Sequence, residues 1–273
     1  MLNPTEREQQ QGTSAEPLSS ERTLFSICFT TRPGSALAQF GRSWFGRVNG
    51  GATLQAFSMS GLAGVASIGS APMPGRHLGL HAPFFAPAPL RKGVRLDEVT
   101  THLASFAANR QPIETGPLQL TRTHRTLTLR PTKPRPELDW LALQCFNAFD
   151  SYADRPETIE GEQPHLNPHQ RLLLRSFGQP NVMSEYRFSL TLTGPLEEDQ
   201  SERLSNALRP VVSDVCDVGI RVDGLSLIGS VKEQTAGQPL ATNSGRPVRL
   251  LGRYSLAGRC FAGVKRVPSQ PQF

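Results

Sequence analysis

Two short segments place polar side chains at a spacing of two among apolar neighbours. In Gly79-Leu80-His81-Ala82-Pro83, an extended chain puts His81 and the Pro83 ring on one face. In the second, Tyr186, Phe188, Leu190 and Leu192 point one way, while Arg187, Ser189, Thr191 and Thr193 point the other. Side chains two apart on a strand share a face and can address one ligand. The Ser189 and Thr191 hydroxyls can donate to an anionic oxygen, and the forked donors of Arg187 suit a phosphate. The plainer readings are a partly buried histidine bonded to backbone at 81 and ordinary strand-surface residues at 187, 189 and 191.

Other constellations carry less. His165 and His169 are four apart, the spacing of a helical metal pair, but Asn167-Pro168 between them is a helix start. His165 then precedes the helix, and two ligands alone do not make a zinc site, so no metal is expected. Cys28, Cys145, Cys216 and Cys260 form no CxxC pair and read as reduced core thiols. The Gly- and Ala-rich stretch 58–75 lacks the Gly-Lys-Ser/Thr ending of a phosphate-cradling loop and reads as a flexible loop. No cofactor is implied.

These residues must be held by a folded body, and 273 residues suffice for one large domain or two small lobes. A hydrophobic share of 37% with 19% charged residues excludes disordered and fibrous classes. No run approaches the ~20 apolar residues of a spanning helix, and MLNPTEREQQ has no apolar signal core, so a cytoplasmic protein without membrane contact is expected. The formal charge of +6 favours anionic partners. Residues 1–22 read as a disordered arm, 23–256 as the folded domain and 257–273 as a flexible tail.

Within the body, strands are expected at 23–30, 76–84, 118–120, 126–130, 186–193, 220–228 and 248–256. Helices are expected at 36–45 after a Ser35 cap, at 96–109, at 137–149, at 168–177 with Leu172 and Leu173 buried, and at 197–212. The prolines of 131–136 look like a seam between lobes. The order reads as two similar halves and implies an α+β architecture of antiparallel sheets with packed helices.

Several stretches in order carry a family resemblance. They include Arg32-Pro-Gly-Ser-Ala-Leu (32–37), Gly79-Leu-His-Ala (79–82), Leu166-Asn-Pro-His-Gln-Arg (166–171), Gly178-Gln-Pro-Asn-Val-Met (178–183), Glu185 to Leu196, Arg221-Val-Asp-Gly-Leu-Ser-Leu (221–227) and Arg249-Leu-Leu-Gly-Arg-Tyr (249–254). Over about residues 23–256 the chain resembles a bacterial family linked to phosphonate-utilisation operons, a branch of the two-histidine (LigT-like) phosphoesterases. The resemblance implies two pseudo-symmetric lobes with a groove between them. It also implies two His-x-Thr/Ser motifs, one per lobe, whose imidazoles act as general base and general acid on a phosphoester.

Measured against that pattern, His81 is retained as the candidate catalytic residue, but Pro83 stands where a hydroxyl belongs. Ser189 stands where the second histidine belongs, Thr191 keeps its hydroxyl, and Phe85 replaces a basic residue common in relatives. Thr191, Ser189 and Arg187 remain the candidate substrate-binding residues. Losing a general acid or base costs ~10²–10⁴ in rate. The leading expectation is therefore a module that binds a phosphorylated small molecule or nucleotide with lost or reduced catalysis. The rivals are an active cyclic phosphodiesterase using His81, and a scaffold protein. RNA is a variant of the first reading that no aromatic-basic interleaving promotes. The oligomeric state is not legible. Because the arm 1–22 has no periodic apolar pattern, deleting it is expected to leave the melting temperature within a degree or two, checked by thermal denaturation.

Overall fold

The computed structural model describes residues 23–48, 78–123, 125–154, 166–230 and 248–258. The expectations for the arm 1–22, the loop 58–75, His165, Cys260 and nearly all of the tail 257–273 lie outside these residues.

The chain enters as β1 (Leu24–Thr30) and turns through Gly34 into α1 (Ala36–Val48). Ser35 caps this helix, its Oγ accepting from the Ala38 N–H at 3.2 Å. Leu37, Phe40, Trp44 and Phe45 are buried as the helical spacing requires. Next come β2 (His81–Pro89) and α2 (Leu96–Ala108), which buries Val99, Leu103 and Phe106. The short β3 (Ile113–Glu114) precedes the hairpin of β4 (Leu118–Thr123) and β5 (Thr126–Pro131). Helix α3 (Pro136–Phe149) follows, then α4 (Pro168–Phe177), β6 (Leu190–Thr191) and α5 (Glu198–Val218). The chain closes on β7 (Arg221–Val222), β8 (Gly224–Ser230) and β9 (Val248–Ser255).

All strand pairs among the described residues are antiparallel and fall into three sheets, ordered β2-β1-β8-β9, β4-β5-β6 and β3-β7. The architecture is α+β. The four-stranded sheet draws β1 and β2 from one end of the sequence and β8 and β9 from the other. It thus joins strands that precede the proline run 131–136 to strands that follow it. The proline run 131–136 is a passage from β5 into α3, and α3 packs on β2 of the other large sheet.

Local chemistry explains where the elements depart from the sequence reading. Strand β2 begins at His81 and runs on through Pro83, Pro87 and Pro89. Proline lacks the ladder N–H, and β2 tolerates three because it lies at a sheet edge. The expected strand 186–193 keeps ladder pairing only at Leu190 and Thr191, opposite Leu129 and Thr128. Beyond that point β5 ends in Pro131 and the chain turns toward α3, so residues 186–189 stay extended without a ladder partner. The expected strand 220–228 is divided at Asp223, which pairs with Arg32 at 3.2 Å and also with Arg253.

Helix α4 has the expected Asn167 cap, accepting from the Gln170 N–H, and stops at Gly178 in the left-handed region. Leu172, however, is 58% exposed. The covered side holds Leu166, Gln170 and Leu173, and Leu172 is turned about 100° from Leu173 on a 3.6-residue helix. Helix α5 runs six residues past the expected end at Val212, through Pro210, because Leu208, Val212, Val215 and Cys216 continue its buried stripe. It stops at Gly219, where a Cβ would meet the Gly116 carbonyl oxygen at 2.1 Å.

The core is continuous between the sheets and the helices. At the contact of the two large sheets, the Phe84 ring lies 5.8 Å from Phe188 and 6.0 Å from Tyr186, and Phe29 lies 6.1 Å from Phe188. Phe84→Ala is expected to cost about 3–5 kcal/mol by leaving a void where the sheets touch. Urea denaturation of the variant against the parent measures it.

Candidate functional site

The aromatic contact fixes which side chains are left outside the core. Ala82 and Phe84 are buried on β2, while Pro83 is exposed and His81 half-buried. Along the segment leading into β6, Tyr186, Phe188 and Leu190 are buried, Arg187 is exposed, and Ser189 and Thr191 are half-buried. His81 therefore belongs to the four-stranded sheet and Thr191 to the three-stranded one, on strands that lie side by side.

His81 opens β2 opposite Thr30. Its Nδ1 lies 2.9 Å from the carbonyl oxygen of Gly79, whose φ of +75° shapes the turn before the strand. A carbonyl can only accept, so Nδ1 carries the proton of the neutral ring and Nε2 carries the lone pair. That is the tautomer of a general base acting through Nε2. Cys28 stands opposite Pro83 in the ladder, but burial pushes its thiol up to about 12, which removes it as a nucleophile at neutral pH. Phe85 stacks on Phe25 at 5.3 Å and is fully buried, so this position serves the core.

Ser189 and Thr191 continue a polar sheet face. Thr191 pairs with Thr128, which pairs in turn with Thr121, and Arg130 pairs with Gln119. Directly paired residues share a face, so Thr191, Thr128, Thr121, Arg130 and Gln119 all lie on one side of this sheet. The opposite side holds Leu118, Leu127, Leu129 and Leu190 in the core. Among the described residues no imidazole or carboxylate hydrogen-bonds Ser189 or Thr191, so neither hydroxyl has a base to activate it. Helix α4 presents His169, whose Nε2 lies 2.9 Å from the Ser184 hydroxyl. Among the described residues, no three His, Cys, Asp or Glu side chains gather where a metal ion would sit.

At one end of this face lies a cleft of about 420 Å³, lined by Gln119, Thr121, Arg130, Lys133, Asp139 and Arg187, among others. The Arg187 guanidinium donates to the Ser184 carbonyl at 2.7 Å and to that of Tyr186 at 2.5 Å, which holds it at the rim. Arg130 is pushed below the usual guanidinium range, first by burial and then by the like charge of Arg187. Burial raises the Asp139 carboxyl, against the pull of Arg187 and Arg130. The cleft takes in Arg187 but is not lined by His81, Ser189 or Thr191. Sequence reasoning passes over Arg130, Thr121 and Gln119. The alternation of Thr126, Thr128 and Arg130 against Leu127 and Leu129 was the available signal.

An α+β body of antiparallel sheets, with a polar row on β6 beside a histidine on β2, is thus the setting of the site. Residues 80–240 match a family described as protein of unknown function, DUF1045, and the chain belongs to that family. It is also similar to ribose 1,5-bisphosphate phosphokinase PhnN of Janthinobacterium sp. (strain Marseille), at 26% identity over 243 residues, covering 84% of this chain and 52% of that protein. The chain spans about half the length of this curated relative.

Similar solved structures include LigT of E. coli complexed with 3'-AMP, at 13% identity and a TM-score of 0.36, covering 86% of this chain and 97% of that one. Another is Usb1 of Kluyveromyces marxianus with uridine monophosphate, at 12% identity and a TM-score of 0.33, covering 76% and 94%. No helix among the described residues is long and apolar enough to cross a membrane.

The short β6 is held beyond its ladder by two bonds. The Leu192 N–H donates to the Leu127 carbonyl at 2.8 Å, and the Leu127 N–H donates to Thr193 Oγ1 at 3.0 Å. Thr193→Val keeps the shape and leaves the Leu127 N–H without that acceptor, at an expected cost of about 1–3 kcal/mol. Chemical denaturation checks the value.

Proposed function

We propose that this chain binds a phosphorylated small molecule or nucleotide between His81 and the polar row Arg187, Ser189 and Thr191, as a two-histidine phosphoesterase-like protein with reduced turnover. The observation that carries this reading is the disposition of the two strands. β2 and β6 lie side by side, each buries its apolar residues in the shared core, and each leaves its motif residues on the polar side. The ester phosphate would accept from the Ser189 and Thr191 hydroxyls, with the Arg187 guanidinium near enough to steer it. The relative named a ribose 1,5-bisphosphate phosphokinase makes phosphorylated pentoses the first ligands to try.

In this reading His81 Nε2 takes a proton from water as the water oxygen bonds to phosphorus and the ester P–O bond of a cyclic phosphodiester breaks. The departing alkoxide then needs a proton. A second imidazole would supply it, and Ser189 does not titrate in that range, so the reaction is left without its general acid. Pro83 likewise removes both a hydroxyl and a backbone N–H from the first motif.

Restoring the missing groups is the test. Ser189→His together with Pro83→Thr, assayed on cyclic nucleotides and cyclic phosphosugars, is expected to raise turnover ~10²–10⁴-fold over the parent. His81→Ala in the parent is expected to change turnover little while weakening binding of a phosphorylated pentose. A parent that already turns over well and loses all activity in His81→Ala would overturn the reduced-catalysis reading and make the protein a working phosphodiesterase.

A further inference from the structure

The cleft beside the polar row is built for an anion of its own. Four of its lining side chains, Arg130, Lys133, Arg135 and Arg187, are cationic, and Asp139 is its lining carboxylate. Arg135 is engaged elsewhere, its Nε donating to the Thr115 carbonyl at 2.7 Å. Arg130 is half-buried and, among the described residues, makes no side-chain hydrogen bond or direct ion pair. Arg187 is close enough for their charges to oppose each other. Two guanidiniums share a partly desolvated cleft at an electrostatic cost that a bound dianion would remove. The first turn of α3 also borders the cleft through Leu138 and Asp139, and a helix N-terminus favours negative charge. Asp139 already occupies that position as an internal anion.

The spacing sets the kind of ligand. At a strand rise of about 3.3 Å per residue, Arg187 lies about 7 Å from Ser189 and about 13 Å from Thr191 along the extended chain. The cleft takes in Arg130 and Arg187 but neither Ser189 nor Thr191, so a ligand with two phosphates on one sugar can fill the cleft and the polar row together.

We infer that Arg130 and Arg187, with Thr121 and Gln119, form a second anion subsite that takes the terminal phosphate of a bis-phosphorylated ligand whose other phosphate lies at the polar row. The ligand class rests on the proposed function, while the subsite itself rests on the cleft alone. Arg130 supplies the forked donors from the cleft wall, Arg187 closes the rim, and Asp139 is displaced or neutralised as the phosphate enters.

Calorimetric titration separates the two levels. Inorganic phosphate titrated into the parent is expected to bind, with affinity lost at least tenfold in Arg130→Gln and in Arg187→Gln and raised in Asp139→Asn. Arg209→Gln, an exposed change on α5, controls for net charge, and melting temperatures confirm that each variant is folded. Phosphate binding that is absent, or that Arg130→Gln and Arg209→Gln reduce equally, overturns the subsite.

Adenosine 3',5'-bisphosphate against adenosine 5'-monophosphate then tests the ligand class. The parent is expected to favour the bisphosphate at least tenfold, Arg130→Gln to erase that preference, and His81→Ala to weaken both nucleotides alike. A subsite that holds phosphate while the parent shows no bisphosphate preference overturns the bis-phosphorylated class. Loss of nucleotide binding with phosphate binding intact counts against the polar row instead.

Discussion

The packing of Phe84 against Phe188 and Tyr186 is the contact on which the other arrangements depend. It joins an edge strand of the four-stranded sheet to the segment leading into an edge strand of the three-stranded one, through rings rather than through ladder hydrogen bonds. Aromatic pairs at such separations contribute beyond their buried area. With Phe84 inward, His81 is the residue at the start of β2 that stays half-exposed. With Phe188 inward, Arg187 and Ser189 must turn outward. The polar row is a consequence of the apolar one.

Much of this was legible because it is local. Asn167, Ser35 and Gly178 mark helix ends through chemistry contained within four or five residues, and the structure has caps or stops at each. The alternation gave the right faces from 186 to 191, even though only two of those residues are laddered, but it failed at Thr193, which is buried with its hydroxyl accepting from the Leu127 N–H. Leu172 failed for a related reason. Two adjacent leucines on a helix cannot share a narrow buried stripe, and the spacing of Leu166, Gln170 and Leu173 decided which one was covered.

What stayed hidden is non-local. That β1 pairs with β8 as well as β2 depends on residues about two hundred positions apart, and no run of either strand announces its partner. Arg130 escaped notice in the same way. Its strand was read correctly, yet its polar face gains meaning only when β6 is laid beside it, and that pairing joins residues about sixty positions apart. The cleft is a product of topology, assembled from β4, β5, the segment before β6 and the start of α3, none of which carries a recognisable anion motif alone.

The four-stranded sheet recruits strands from both ends of the chain, and this shapes how the protein must be made. The β4–β5 hairpin pairs residues only a few positions apart and can form as soon as it leaves the ribosome. Strand β1, synthesised ahead of the other described strands, lacks its β8 neighbour until about two hundred residues have been added. During that interval its strongly apolar face and one row of backbone donors and acceptors have no mate, a condition that slows folding and invites association with other chains. The prolines of β2 bear on the same hazard. They remove N–H donors at Pro83, Pro87 and Pro89, so that the part of the sheet completed first offers a poor template to strands from elsewhere.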